Sequence, residues 1–394
     1  MKHIVLVAAT TGYQVRAFDE AALRLAGQPG IRLTLATDRC HILEDPWGDR
    51  AVPVRFDELE ESAKRIPSCD GILAVGDRPA VLAARAAELQ GIPFHSAAAA
   101  EVCHDKGLTR ERLRAAGLPS PESVRIKIAG TKPNLRYPLV LKPLHLSASR
   151  GVIRADNDLE FEAARQRIGR MVSDDEIQVE SFIPGKEYAL EGVMTRGVLQ
   201  TFTLFEKPDP LDGPFFEESI YLIVSETKPI SQAVERAVKA LGLSHGPVHA
   251  EVRVNAEGVF VLEVAARPIG GLCAGVLRFT GGATLEEVLL RHAAGEVVTG
   301  FAREAESAGV MMIPIGRGGV FQGVTGVEDA LAVPGITKCV ITAKVGYRVV
   351  PLPEGASYLG FLFARGGSKE DVDRALRESH GRMRFEFTGV LPVI

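Results

Sequence analysis

The chain has 394 residues, enough for about two to four domains rather than a single core. Apolar residues make up 46% and charged residues 24%, as in an ordinary globular protein, and a net charge of −4 gives no general attraction to nucleic acid or to an anionic membrane. Any affinity for phosphate must come from a local site, and no apolar run approaches the roughly 20 residues that span a bilayer.

Met1, Lys2 and His3 lead directly into the apolar run 4–8, which is too short for a secretory core and lacks a cleavage site, so it predicts a buried first strand. A helix over 16–25, strands over 32–37 and 71–75, and an alanine-rich helix over 79–90 stopped by Gly91 follow. Continuous apolar strands alternating with helices predict a doubly wound parallel sheet for residues 1–103. Thr10, Thr11 and Gly12 sit where a phosphate loop could lie. They lack the G-x-G-x-x-G fingerprint and read as a turn closing the strand.

Asp105 and Lys106 open a helix over 108–116, and Gly117, Pro119 and Pro121 stop it, marking a second unit over 104–300. That unit carries strands over 139–142, 177–180, 188–192 and 199–205, a helix over 231–241, a hairpin of 249–254 with 259–264, and a helix over 284–293. A third unit, 301–394, has strands over 310–315, 339–342, 348–350 and 359–364 and a helix over 368–379 with Ser368 as its N-cap, an α+β pattern. The five cysteines (40, 69, 103, 273 and 339) show no Cys-x-x-Cys, which favours reduced thiols and a cytoplasmic location.

The chemistry concentrates in the second unit. Glu251 and Glu263 fall on consecutive strands of the hairpin, where residues on one face approach to about 5 Å. Two acids that close call for a cation between them, and oxygen ligands favour Mg²⁺ or Mn²⁺. Arg267 follows four residues later, ahead of Pro268 and the Gly270–Gly271 pair, and its planar fork suits a phosphoryl or carboxylate oxygen. Lys142 closes an apolar strand and calls for an anionic partner; Lys106 at a helix start is a candidate for the same role. The turn 147–152, with Ser149 and Gly151, has backbone N–H groups that could fold over phosphates. Glu180, Phe182 and Ile183 lie in extended backbone that could meet a purine edge, leaving Glu187 for ribose hydroxyls. Glu217 or Glu218 could pair with a substrate ammonium, and His249, two residues before Glu251, could face the same pocket or pack within the sheet.

Taken in order, the two lysines, the serine-rich loop, E-x-F-x-x-G-x-E, and two acids twelve residues apart followed by arginine resemble the ATP-grasp superfamily of carboxylate–amine ligases. Residues 205–218, the loop 263–271 and residues 309–315 are similar to its branch of bacterial L-amino acid ligases, which make dipeptides. The resemblance implies a Rossmann-like N-terminal domain, a central ATP-grasp domain and a C-terminal α+β domain. It implies ATP with Mg²⁺ or Mn²⁺, and small-molecule carboxylate and amine substrates such as amino acids, with homodimerisation left open. Lys106 and Lys142 would touch the nucleotide phosphates. Glu180, Phe182, Ile183 and Glu187 would line the adenosine pocket, Glu251 and Glu263 would hold the metal, and Arg267 the phosphate in transfer. Two departures stand out: Ala265 replaces the asparagine that usually follows the second metal acid by two residues, and the phosphate loop has serines where glycines are usual. The rival readings are a carboxylase that activates bicarbonate and a non-catalytic nucleotide-binding module.

Overall fold

Four parallel strands in the order Ala51–Pro53, Ile31–Thr37, Lys2–Ala8 and Gly71–Val75 form the N-terminal sheet, flanked by the helices Tyr13–Arg24 and Asp77–Gln90. This is the doubly wound parallel unit expected from its unbroken apolar strands; Ile4 to Ala8 are wholly buried. The computed structural model describes residues 1–9, 13–27, 30–38, 51–225, 227–355 and 357–389. The 10–12 turn and Cys40 lie outside the described residues. Among those described, no helix is long and apolar enough to cross a membrane.

Asp105 turns the chain into the central domain. It ends the helix Ala97–His104, and its side chain accepts hydrogen bonds from Gly107 N (2.7 Å) and Leu108 N (3.0 Å), capping the helix Lys106–Ala115. Arg125 passes close over Gly107 on its way to Asp105, so that a Cβ there would lie 2.2 Å from the guanidinium and displace it. The corner leaves Lys106 in the first turn of its helix, beside the strand Leu139–Pro143.

That strand belongs to a small antiparallel lobe ordered Ser123–Lys127, Glu176–Ser181, Leu139–Pro143, Ile153–Ala155. The helix Asp158–Gly169 packs on it, and Phe161, Ile168, Leu139 and Val179 make a core of the lobe's own. The large sheet has eight strands: Gly258–Ala265, Gly246–Asn255, Lys186–Thr195, Val198–Lys207, Ile220–Val224, Ser307–Ile313, Gly360–Gly366 and Ile336–Ile341. Its last three strands come from beyond residue 300, so the C-terminal α+β segment extends the central sheet and adds a separate sheet of Arg348–Val349, Gly319–Thr325 and Arg384–Thr388. The N-terminal domain packs into the same cores as the large sheet, as Val5 and Leu82 cluster with Leu190, Val248 and Val264.

Candidate active site

A cavity of about 420 Å³ opens where the lobe, the N-terminal domain and the large sheet meet. Lys106, Lys142, Ser149, Glu180, Phe182, Ile183, Glu187, Glu218, His249, Glu251, Glu263, Arg267, Gly270 and Gly271 line it. Two sequence candidates are not brought to its wall. Gly151 is buried and gives its N–H to the Pro353 carbonyl at 2.8 Å, and Glu217 turns towards the backbone of Ile315.

The hairpin sets the acidic end. Its register starts at Asn255 opposite Gly258, and an unbroken ladder from there would place Glu251 opposite Leu262. A β-bulge between Glu251 and Val252 shifts the pairing by one, and Glu251 stands opposite Glu263. The sequence anticipated the shared face but not the bulge that creates it. Arg110 holds the bulged backbone, donating to the carbonyls of Leu262 (2.5 Å) and Val261 (3.4 Å).

Lys207 was not singled out from the sequence, and it is the hub of this end. Its ammonium, almost wholly buried, bonds to Glu187 (2.7 Å), Glu251 (3.1 Å) and Glu218. Burial opposes its charge, but the three carboxylates outweigh burial and hold its pKa well above the ordinary lysine value. Burial likewise works against the Glu251 anion; Lys207 and His249 overcome it and pull its pKa down, while burial and the Glu251 charge push Glu218 up. Arg253 grips Glu187 from the far side at 2.8 Å. The feature that marked Lys142, a lysine between an apolar strand and a proline, is also present at Lys207–Pro208 and was available to flag it.

His249 is buried, its Nδ1 bonded to Glu191 and its Nε2 3.4 Å from Glu251 Oε1. Burial lowers its pKa, but the two carboxylates raise it further, to about 9. In the ladder it stands opposite Ala265, where the small side chain replaces the usual asparagine. Glu191 also accepts the Ile269 N–H at 3.0 Å, so the Arg267–Gly271 loop is anchored to the sheet floor.

Glu187, Glu218 and Glu251 offer carboxylate oxygens within 4.8 Å of one another, and the Glu263 side chain has no hydrogen bond or ion pair among the described residues. The donor set is all oxygen, the chemistry that a hard divalent cation such as Mg²⁺ or Mn²⁺ prefers. On that observation the residues fit the metal the resemblance implies.

Cations line the same cavity. Arg267 Nε bonds to Asp77 Oδ1 at 2.8 Å; Asp77 opens the helix Asp77–Gln90 of the N-terminal domain, so two domains build this charge. Burial opposes both charges, but Asp77 raises the Arg267 pKa and Arg267 lowers that of Asp77. Lys142 bonds to Glu180 at 2.7 Å, and Glu180 also takes Arg110 Nε at 2.8 Å and Nη2 at 3.2 Å. Burial pushes the Glu180 carboxyl up, yet Arg110 and Lys142 prevail and hold it at about 2. Lys106 Nζ donates to the Leu146 carbonyl at 2.5 Å, at the root of the serine-rich loop. In that loop the N–H groups of Arg150, Gly151 and Val152 bond to Ser147, Pro353 and Ser149, whereas those of Ser147, Ala148 and Ser149 find no acceptor among the described residues. Further along, the N–H groups of Ser181 and Phe182 bond to Glu122 and Pro138, and Arg154 and Arg253 lie 4.4 and 4.9 Å from the Phe182 ring centroid.

Residues 135–276 match the ATP-grasp domain family, and residues 311–388 match L-amino acid ligase C-terminal domain 2. The crystal structure of an L-amino acid ligase from Bacillus licheniformis superposes with a TM-score of 0.82 at 25% identity, over 99% of each chain. Among curated relatives, an uncharacterised protein, y4rH, of Sinorhizobium fredii is 24% identical over 71% of this chain, and a D-alanine–D-alanine ligase of Chromohalobacter salexigens is 32% identical over 27% of it. The chain spans 60% of the first relative's length and 35% of the second's. With the acids of the hairpin, the lysines of the lobe and these matches in agreement, residues 135–276 form a domain of the ATP-grasp family and residues 311–388 a C-terminal domain of the L-amino acid ligase type.

Proposed function

We propose that the protein is an ATP-dependent ligase that joins two amino acids, or an amino acid and a similar amine, through an acylphosphate. The carrying observation is the make-up of the cavity wall, which brings the cations Lys106, Lys142 and Arg267 together with the acids Glu187, Glu218, Glu251 and Glu263. A triphosphate fits the first set and a metal with a substrate ammonium the second.

In this reading Ile183 and Phe182 meet the adenine, and Lys106, Lys142 and the 147–149 amides hold the phosphates. Glu251 and Glu263, with Glu187 or Glu218 near, would hold Mg²⁺ or Mn²⁺. When bound, the metal neutralises phosphate charge. The substrate carboxylate oxygen attacks the γ-phosphorus; the new O–P bond forms as the bond to the β-phosphate oxygen breaks, and ADP leaves. Arg267, fixed by Asp77, is placed to face the oxygens that gain charge. The amine then attacks the acyl carbon, a C–N bond forms, the C–O bond to phosphate breaks, and the amine loses one proton as phosphate departs. Glu218, at the buried end with Tyr221, Met312 and Tyr358, is the group best placed to receive a substrate ammonium.

Purified protein given ATP, Mg²⁺ and pairs of amino acids should form ADP only when a suitable pair is present, with one dehydrated conjugate per ADP by mass spectrometry. ADP release on bicarbonate alone would replace this reading with the carboxylase one. Nucleotide binding without turnover on any pair would leave a binding module.

A further inference from the structure

The loop that faces the triphosphate position is held from outside its own lobe. Ala148 and Ser149 adopt left-handed backbone angles, with φ of 56° and 54°, which residues carrying a Cβ rarely take. Such a turn persists when its surroundings fix it. On its far side Gly151, with φ of 68°, is pressed against Pro143, where a Cβ would come within 2.6 Å of Cγ. A further hold comes from the C-terminal domain. The Pro353 carbonyl accepts the Gly151 N–H (2.8 Å), and the Glu354 carbonyl accepts Arg150 Nε (3.1 Å). The Glu354 carboxylate grips both Nε (2.5 Å) and Nη2 (2.9 Å) of Arg167, on the helix behind the loop, and that guanidinium lies 4.9 Å from the Phe215 ring centroid. Four residues beyond Glu354, Tyr358 lines the cavity at its substrate end.

We propose that Glu354 is a positioning residue for the nucleotide: together with the Pro353 carbonyl it clasps the 147–151 loop in the shape that presents the 147–149 amides to phosphate. The inference rests on the nucleotide reading above. A plain surface ion pair would contribute little to stability, since both side chains are about 40% exposed. The clasp differs in consequence, because the bidentate pair also orients two carbonyls that bond the loop.

The test uses full-length protein with Glu354→Gln, Arg167→Glu, and the exchanged pair Arg167→Glu/Glu354→Arg. Melting temperature, the dissociation constant for MgATP by calorimetry, and hydrogen exchange of the Gly151 amide are read for each. The single variants should melt like the parent, bind MgATP about two- to fivefold more weakly, exchange Gly151 faster, and raise KM for ATP by the same factor with kcat little changed. The exchanged pair should recover most of each effect. Single variants with parental nucleotide affinity and parental Gly151 protection would overturn the clasp. If the parent protein itself fails to bind MgATP, the nucleotide reading falls, and Gly151 exchange still decides whether the clasp holds the loop.

Discussion

Arg267 is the residue whose role depends most on another domain. Its guanidinium is answered by Asp77 alone among carboxylates within bonding distance in the described residues, and Asp77 sits beyond Gly76 in the N-terminal domain. Asp77→Asn keeps the shape of the contact and removes its charge. It should lower kcat by about tenfold, equivalent to about 1.4 kcal/mol, with KM for ATP nearly unchanged, since the affected group acts on developing charge. A variant with unaltered kcat would show that Arg267 is positioned by its loop alone. Glu263 is the other single residue with a sharp expectation. Its side chain has no hydrogen bond or ion pair among the described residues, so Glu263→Ala should leave the melting temperature within a degree or two. Turnover should drop by more than the about 10- to 100-fold typical of losing an outer-shell partner of a metal ligand, and Mn²⁺ binding by electron paramagnetic resonance should weaken in parallel. Full activity in Glu263→Ala would contradict its assignment as a ligand.

At the scale of elements, the hairpin and the lobe show what the sequence carried and what it lacked. The turn residues Asn255 and Gly258 and the apolar alternation around Glu251 and Glu263 were enough to read a hairpin with both acids on it. The β-bulge that makes the acids face each other has no local signature, because its hold is Arg110, some 150 residues away. Arg110 went unnoticed for the same reason: on its own helix it looks like any solvated arginine, and only the tertiary fold buries it against Glu180. That buried triad gives a pH expectation. Glu180 titrates at about 2 in the fold against an ordinary 4.5, so its contribution is present above pH 4.5 and is lost as the pH falls towards 2. By that shift it stabilises the fold by roughly 3 kcal/mol at neutral pH. Glu180→Gln should therefore be markedly less stable than the parent in urea at pH 7, and the gap should close progressively below pH 4.5. A gap that is constant from pH 7 to pH 3 would mean the carboxylate charge is not what stabilises the lobe.

For the whole molecule, the parallel N-terminal sheet was legible from its unbroken apolar strands alternating with helices. Less legible was how the units join. Ser307–Ile313 and Gly360–Gly366 extend the central sheet, and the Pro353–Glu354 clasp returns to the lobe, through pairings between residues far apart in sequence that no periodicity encodes. The consequence is one cavity with contributions from every unit: Asp77 from the first, the lysines and acids from the second, Met312 and Tyr358 from the third. That arrangement supports a reaction in which phosphate transfer and amide formation share one cavity. The most direct measurement is isotopic. With an amino-acid substrate carrying ¹⁸O in its carboxylate, ATP, Mg²⁺ and an amine partner, the account predicts that each phosphate released carries one ¹⁸O atom and that label in phosphate rises in step with the conjugate. Phosphate released without label, with or without conjugate, would contradict carboxylate activation by phosphoryl transfer.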